Sequence, residues 1–139
     1  NAGYIGMHIT GNVHSMHQVE LRENIMNSTL EYFESKKKLL LSYGIKDWVI
    51  DPGFGFGKTV EENFTIIKNL KELKALGLPI LIGVSRKSSL NKTLGIESKD
   101  ALNATTIANT VALLNGADII RVHDVKEASQ IIQLLKYLQ

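Results

Sequence analysis

The octapeptide DPGFGFGK, residues 51–58, predicts both how this chain folds and where it binds a ligand. It follows a short apolar run, residues 48–50 (WVI), that has the length and composition of a buried strand. The strand therefore ends at a carboxylate, Asp51, which is followed by a proline and three alternating glycines. Glycine tolerates positive φ and has no Cβ, so the backbone can approach a ligand closely, while Phe54 and Phe56 supply flat apolar walls. We interpret the octapeptide as a binding loop; an ordinary strand-to-helix turn is the alternative, because a lone glycine pattern is a weak signal.

The end of the octapeptide looks like a phosphate-binding P-loop but does not match one. That motif needs a glycine five positions before its last glycine, and Pro52 occupies this position. Thr59 and Glu62 instead have the spacing of a capping box, which predicts that a helix begins here. The free amides of its first turn would face whatever Asp51 holds.

The composition indicates one soluble domain or part of one. The chain has 139 residues, 44% of them apolar and 22% charged, which is enough for a hydrophobic core. No apolar run approaches the roughly 20 residues of a membrane span, and 16 basic against 14 acidic residues leave a net charge of +2. We therefore expect neither a membrane nor a nucleic acid as partner. The lack of cysteine excludes disulfides and thiolate metal sites and fits a cytoplasmic location.

The hydrophobic pattern predicts a parallel α/β fold. The predicted strands cover residues 4–8, 48–51, 80–84 and 119–123. The predicted helices cover approximately residues 19–43, 59–76, 98–115 and 124–138, with Asp124 and Glu127 capping the last one. Each connection is long enough for a right-handed crossover between parallel strands.

Apolar residues at helical spacing mark the helix faces that we expect to pack inward. For the four helices in turn they are Met26, Leu30, Phe33 and Leu40; Ile66, Leu70 and Leu73; Ile107, Val111 and Leu114; and Ala128, Ile131, Leu135 and Leu138.

Polar side chains lie at the C-terminal end of every predicted strand. They are His8, Asp51, Ser85 with Lys87, and Arg121 with His123. Parallel strands share one rim at these ends, and active sites are found there both in (β/α)8 barrels and in open doubly wound sheets. The pattern alone leaves the two architectures open. Arg121 is unusual in any case, because an unpaired guanidinium inside an apolar strand is costly.

Three motifs resemble those of the dihydropteroate synthase family and occur in the same order: DPGFGFGK (51–58), GVSRKS (83–88) and IIRVHD (119–124). In addition, MHITGNVHSM (7–16) is similar to the segment after that family's fifth strand. The resemblance covers essentially the whole chain. It implies an α/β fold that is the C-terminal half, strand 5 to helix 8, of a (β/α)8 TIM barrel of roughly 250 residues. Residues 1–139 would then be half of a single pterin-binding domain without an internal boundary.

The family condenses dihydropterin pyrophosphate with p-aminobenzoate and releases pyrophosphate, a transferase reaction of folate biosynthesis. The resemblance implies catalytic roles for Asp51, Lys87 and Arg121. Asp51 would pair with the amino group and ring NH of the pterin, Lys87 would bind its carbonyl edge, and Arg121 would lie over its face and reach the pyrophosphate. The substrate-binding residues implied by the family are Met7, Phe54, Gly55, Phe56, Gly83, Ser88, Arg121 and His123.

Each of these assignments has a simpler alternative. Asp51 could only cap the next helix, Lys87 could be a solvated loop lysine, and His123 could hydrogen-bond only a local backbone group. His14 and His17 are three residues apart without a carboxylate or cysteine nearby, so we interpret them as surface residues rather than a zinc site.

The resemblance also implies what this chain lacks. Mg²⁺ is the expected cofactor, but the family's metal-binding asparagine belongs to the first barrel strands, so no metal ligand is expected here. The chain begins at Asn1 and reads like a cut edge, and we expect it to need the N-terminal half for activity. The family usually forms homodimers through its late helices and is a sulfonamide target. A pterin-binding domain of a corrinoid methyltransferase and a non-catalytic pterin-binding half-barrel remain as alternatives.

Overall fold

The computed structural model describes residues 3–11 and 24–138, in which strands and helices alternate along the chain. The strands are β1 (Tyr4–Met7), β2 (Trp48–Asp51), β3 (Leu81–Ile82) and β4 (Ile119–Ile120). The helices are α1 (Ile25–Ser42), α2 (Val60–Lys68), α3 (Ser88–Leu94), α4 (Leu102–Leu114) and α5 (Val125–Leu138). Short 3₁₀ segments cover Leu70–Leu76 and Ser98–Asp100. The described helices include none that is long and apolar enough to cross a membrane.

All strand pairings in the described residues are parallel, as the sequence predicts. β1 pairs with β2 from Tyr4 opposite Trp48 to Met7 opposite Asp51. β3 pairs with β4, and a bridge between Ile50 and Ile80 joins the two pairs. The strands therefore lie side by side in chain order, and their C-terminal ends share one edge. The parallel α/β fold is confirmed.

The third and fourth strands are shorter than predicted. β3 and β4 have two residues each. The last hydrogen bond between them is from the Arg121 N–H to the Ile82 carbonyl, at 2.9 Å. The expectation that Arg121 lies inside an apolar strand is wrong, because its side chain is 56% exposed at the edge of the sheet. This removes the cost of burying a guanidinium.

Capping side chains set the observed helix ends. α1 begins at Ile25, where the Asn24 side chain accepts hydrogen bonds from the Met26 and Asn27 N–H groups. The predicted first turn, residues 19–23, lies outside the described residues. The Thr59–Glu62 capping box of α2 is confirmed. The predicted helix 59–76 breaks at Asn69, whose side-chain amide donates to the Thr65 carbonyl and so competes with the backbone.

The buried face of α4 is the reverse of the predicted one. The large residues expected to face inward are exposed: Ile107 by 57%, Val111 by 39% and Leu114 by 54%. The helix instead buries small and polar side chains, which are Ala104, Thr105, Ala108, Asn109 and Ala112. Small side chains let the helix backbone approach its neighbours closely, whereas counting apolar residues at helical spacing favours the large ones. Its predicted first turn, residues 98–100, is one of the 3₁₀ segments.

The last helix follows its prediction except at two points. Ala128, Ile131 and Leu135 of α5 are buried as expected, but Leu138 is 75% exposed near the end of the chain. Asp124, predicted to cap this helix, accepts hydrogen bonds from Arg86 with both carboxylate oxygens.

Candidate functional site

The three residues expected to be catalytic converge at the C-terminal edge of the sheet. Asp51 is the last residue of β2, while Lys87 and Arg121 follow β3 and β4. The Asp51 Oδ2 and Arg121 Nη2 atoms are 4.0 Å apart, and the Lys87 Nζ lies 4.0 Å from the centre of the Phe56 ring. The charges of Arg121 and Lys87 both act on the Asp51 carboxylate. One acid and two cations therefore face a common space.

Asp51 is a buried carboxylate rather than a helix cap. Its side chain is only 5% exposed, and its Oδ1 accepts a hydrogen bond from the Gly53 N–H at 2.8 Å. Burial raises its pKa above the ordinary value, against the opposing effects of the Gly53 hydrogen bond and the charges of Arg121, Lys87 and Lys58. The helix-cap alternative does not hold, because Thr59 caps α2. A buried acid with a free oxygen can pair with the N–H edge of a heterocycle.

Lys87 is held in place rather than freely solvated. Its ammonium lies over the Phe56 ring, and a Cβ at Gly55 would come within 3.3 Å of its Cδ. Partial burial lowers its pKa, and so does the nearby charge of Arg121, while Asp51 opposes the shift. The lysine therefore lies against the glycine-rich loop and is electrostatically coupled to both other charges.

Gly83 makes room for Arg121. A Cβ at Gly83 would lie 2.8 Å from Nη2 and 3.1 Å from Cζ of the arginine, so the guanidinium lies directly over this glycine. The Nη2 atom lies 4.0 Å from the Asp51 Oδ2, and the arginine side chain is 56% exposed. A guanidinium can both stack on an aromatic ring and bind a phosphate.

His123 is fixed by a serine hydroxyl. The buried Ser85 Oγ accepts a hydrogen bond from the His123 N–H at 3.2 Å, and it lies 2.9 Å from the Nδ1 atom. His123 is therefore bound to a side chain at the end of the neighbouring strand. The simpler alternative, that it hydrogen-bonds only a local backbone group, does not hold. This contact orients an exposed imidazole at the same edge.

Two of the three loop glycines allow contact with protein backbone rather than with a ligand. A Cβ at Gly53 would lie 1.9 Å from the His8 carbonyl oxygen, and one at Gly57 would lie 2.0 Å from that of Thr10. The φ angles of Gly53 and Gly57 are +70 and +65, in the left-handed region. The interpretation that all three glycines serve close approach to a ligand is therefore wrong. Gly55 is exposed and lies near the Lys87 side chain rather than a backbone carbonyl, so it can still serve close approach to a ligand.

Two buried polar side chains that sequence reasoning missed hold this loop. The Lys58 Nζ donates to the carbonyl oxygens of His8, Gly53 and Phe56 at 3.0, 3.0 and 3.2 Å. Asn63 is fully buried; its Oδ1 accepts from the Gly55 N–H at 2.7 Å, and its Nδ2 donates to the Ser89 Oγ at 2.9 Å. A polar residue on the inward face of α2, three positions before Ile66, was the available signal for Asn63.

Substituting the loop glycines should separate a steric clash from backbone strain. Gly53→Ala and Gly55→Ala both place an alanine at positive φ, +70 and +85, which costs about 1–2 kcal/mol in either case. Only Gly53→Ala also drives a Cβ into the His8 carbonyl. We expect Gly53→Ala to lower the free energy of unfolding by a further ~1–3 kcal/mol, as overpacking does. Urea unfolding of both variants measures the difference, and equal losses would contradict the close approach.

The remaining predicted site residues lie in different environments. Met7 is half-buried and pairs with Asp51 across the ladder. Phe54 is 1% exposed and belongs to the hydrophobic core, so the structure does not bring it to the surface of the site. Phe56 is half-buried beneath Lys87, and Ser88 is exposed at the start of α3. His14 and His17 lie outside the described residues. Residues 3–11 and 24–138 contain no group of histidine and acidic side chains that could hold a metal ion.

Comparisons with known proteins agree with this geometry. Residues 1–123 match the family model described as pterin binding enzyme. The chain is 38% identical over 136 residues to a dihydropteroate synthase of Synechocystis sp., covering 96% of this chain and 47% of the relative. It is 32% identical over 132 residues to the Escherichia coli dihydropteroate synthase, covering 94% of this chain and 47% of the relative. It thus spans about half the length of the curated relatives that it matches.

Solved structures give the same result. The dihydropteroate synthase of Yersinia pestis, solved with a sulfonamide drug complex, superposes with a TM-score of 0.93 at 30% identity, covering 96% of this chain and 50% of that one. That of Thermus thermophilus in complex with 4-aminobenzoate superposes with a TM-score of 0.91 at 28% identity, covering 99% and 54%. Because the family model covers most of the sequence and the fold agrees, this chain belongs to the pterin binding enzyme family.

Proposed function

We propose that this chain is the C-terminal half of a dihydropteroate synthase, comprising strand 5 to helix 8 of a (β/α)8 barrel, as a single domain over residues 1–139. The observation that carries the proposal is the convergence of Asp51, Lys87 and Arg121 at one edge of the sheet. Parallel strands in chain order and the coverage of about half of each relative support the half-barrel. In the complete protein, the reaction would be condensation of dihydropterin pyrophosphate with p-aminobenzoate.

The chemistry of that reaction fits the charges at this edge. Departure of pyrophosphate leaves a pterin cation, which the buried Asp51 carboxylate would stabilise while pairing with the N–H edge of the ring. Lys87 would bind the carbonyl edge, and Arg121 would cover the ring face and hold the leaving pyrophosphate together with His123. Because these groups are fixed before the ligand binds, electrostatic preorganisation would be the main contribution, worth several kcal/mol. The attacking arylamine is neutral at pH 7 and needs no strong base.

The second substrate would lie on the side of the glycine-rich loop. The half-buried ring of Phe56 next to Lys87 offers an apolar wall for p-aminobenzoate, and Met7 a wall for the pterin. The backbone amide of Ser88 is proposed to meet the carboxylate. Gly55 and Gly83 would contribute open backbone next to Lys87 and Arg121. The family's role for Phe54 has less support, since that ring is in the core.

Mg²⁺ is not assigned to residues of this chain. The described residues offer no set of ligands for it, so we derive no step through a metal ion. Its ligands are proposed to come from the N-terminal half and from the pyrophosphate.

Exposed apolar surfaces support two protein partners. Ile5 of β1, 58% exposed, lies on a strand that pairs only with β2 within the described residues, which suits docking of an N-terminal half-barrel. Two apolar surfaces of the late helices suit a homodimer: the exposed Ile107, Val111 and Leu114 of α4, and a separate groove of about 420 Å³ between α4 and α5 that Leu134 and Leu138 help to line. Light scattering of the purified protein measures the mass of such assemblies. A cytoplasmic location and sulfonamide sensitivity remain further proposals.

Binding of the pterin substrate to this chain tests the proposal directly. Titration calorimetry with dihydropterin pyrophosphate should show weak binding, with Kd of about 1 mM or tighter, because the pterin-facing charges are present but half of the barrel is not. Pyrophosphate alone should bind more weakly, since it engages only Arg121 and His123. Addition of the N-terminal half should then restore turnover with p-aminobenzoate. Absence of heat with and without that half would favour the alternative, a non-catalytic half-barrel; turnover with a methyl-corrinoid instead would indicate the methyltransferase alternative.

A further inference from the structure

Two ion pairs flank the β3–β4 strand pair, one at each end. At the N-terminal end, the Lys74 ammonium lies 2.6 Å from the Asp118 Oδ2, which also accepts the Ile80 N–H at 2.8 Å. At the C-terminal end, Arg86 binds Asp124 with two parallel hydrogen bonds, from Nε to Oδ2 at 3.0 Å and from Nη2 to Oδ1 at 2.8 Å. Both pair a cation with an aspartate, but the second is less exposed, and only the second lies next to the candidate site.

Arg86 is held in an unusual backbone conformation. Its φ is +54, and no other non-glycine residue of the described part has a positive φ. Arginine gains nothing intrinsically from this region, so neighbouring contacts must impose it. The Arg86 N–H donates to the Thr105 Oγ1 at 3.0 Å, and its carbonyl accepts from the Ser98 Oγ at 3.0 Å.

The third nitrogen of the Arg86 guanidinium, Nη1, extends the network. Nη1 donates to the carbonyl oxygens of Ser98 and Lys99 at 2.7 and 2.9 Å. Arg86 therefore links three segments: its own turn after β3, the 3₁₀ segment Ser98–Asp100, and the turn after β4 that contains Asp124. Its side chain is about three-quarters buried, which makes the ion pair stronger than one in free solvent.

The residues on either side of this network are those of the candidate site. Ser85, directly before Arg86, fixes the backbone and ring of His123, and His123 directly precedes Asp124. Lys87, directly after Arg86, lies over the Phe56 ring. The turn at Arg86 thus directs Ser85 and Lys87 to the site while its own side chain points to Asp124.

We propose that Arg86 is a positioning residue, which holds Lys87 and His123 in their places at the site through its paired hydrogen bonds to Asp124 and does not contact substrate itself. The inference rests on the proposed function only in naming what Lys87 and His123 bind. The positions of the two side chains can be measured without any ligand.

The test uses NMR on the 139-residue chain, with two variants and a matched control. Arg86→Asn keeps a residue that tolerates positive φ and removes the guanidinium. Asp124→Asn removes the charge and one of the two oxygens that accept from Arg86. The control, Asp118→Asn, breaks the equivalent ion pair at the far end of the same strands. One readout is the pKa of Lys87, followed through its labelled ammonium; the other is the amide resonance of His123.

In both Arg86→Asn and Asp124→Asn, we expect the pKa of Lys87 to move toward its ordinary value of 10.5 as the lysine leaves the loop. The His123 amide resonance should shift, because the Ser85 contact is loosened. Asp118→Asn should lower the stability and leave both readouts at their original values. Unchanged readouts in the two site variants, or equal changes in the control, would overturn the proposal.

A charge reversal covers the case in which the single variants do not fold. Arg86→Asp combined with Asp124→Arg restores a pair of opposite charges, and aspartate also tolerates positive φ. In this variant the Lys87 pKa and the His123 amide resonance should return at least partly to their values in the unmodified chain. A double variant that folds but restores neither value would contradict a positioning role.

An activity measurement separates this inference from the proposed function. In the complete enzyme, Arg86→Asn should lower kcat/KM by about 10- to 100-fold, as misplacement of catalytic groups does, and Asp118→Asn by less than about threefold. If the unmodified protein neither binds pterin nor turns over, the proposed function fails, while the Lys87 and His123 readouts still decide the role of Arg86.

Discussion

Replacing Lys87 by alanine is expected to lower kcat/KM of the complete enzyme at least about 100-fold, if the ammonium contacts the reacting pterin. The side chain lies beside the acid and the arginine of the site, and burial already lowers its pKa. Removing it deletes a charge and a hydrogen-bond donor in a partly desolvated place, where such groups act most strongly. The measurement is steady-state turnover with dihydropterin pyrophosphate and p-aminobenzoate.

Lys92→Ala provides the matched control for this experiment. Lys92 is an exposed lysine on α3, the helix that Lys87 precedes. It should leave kcat/KM within about twofold, because exposed surface substitutions away from a site have small effects. A loss below threefold in Lys87→Ala would remove this lysine from the catalytic site.

Asp51→Asn should have opposite effects on activity and stability. The substitution keeps the Oδ1 that accepts the Gly53 N–H but removes the charge that would face the pterin cation. We expect kcat/KM of the complete enzyme to fall about 100- to 1000-fold, the usual effect of losing one preorganised electrostatic group. The free energy of unfolding of the chain at pH 7 should rise by about 0.5–2 kcal/mol, because a carboxylate whose charged form is costly to bury is replaced by a neutral amide.

The pH dependence of the stability gain identifies its cause. Burial raises the pKa of Asp51 above 3.8, so the folded chain binds this proton more tightly than the unfolded chain does. The stabilisation from the protonated acid is complete below pH 3.8 and is lost as the pH rises through the folded-state pKa. The advantage of Asp51→Asn should therefore vanish in acid and grow toward neutral pH. Urea unfolding at a series of pH values measures it, and an equal advantage at every pH would exclude a buried charge as its source.

The sequence was sufficient to predict the order of elements and the edge that carries the site. Short apolar runs ending in polar residues indicated parallel strands, and β2 is observed with its predicted bounds. The Thr59–Glu62 capping box was also predictable, because it depends on local residues. Asp51, Lys87 and Arg121 are brought together because each follows a strand of one parallel sheet.

What the sequence did not show depends on contacts between distant segments. The inward face of α4 is chosen by how closely small residues such as Ala108 and Ala112 allow packing, and not by the size of Ile107 or Val111. The role of Gly53 is set by the His8 carbonyl, 45 positions earlier in the chain. The pairing of Arg86 with Asp124 joins residues 38 positions apart, and no local pattern specifies it.

The buried contacts of Lys58 and Asn63 have a further consequence for recognition. They fix the glycine-rich loop from within the protein, so its conformational entropy is lost when the chain folds and not when a ligand arrives. A small rigid molecule that meets this edge encounters a surface already in its final shape. Association then requires little ordering of the protein, which favours high affinity for a flat compound that has few rotatable bonds of its own.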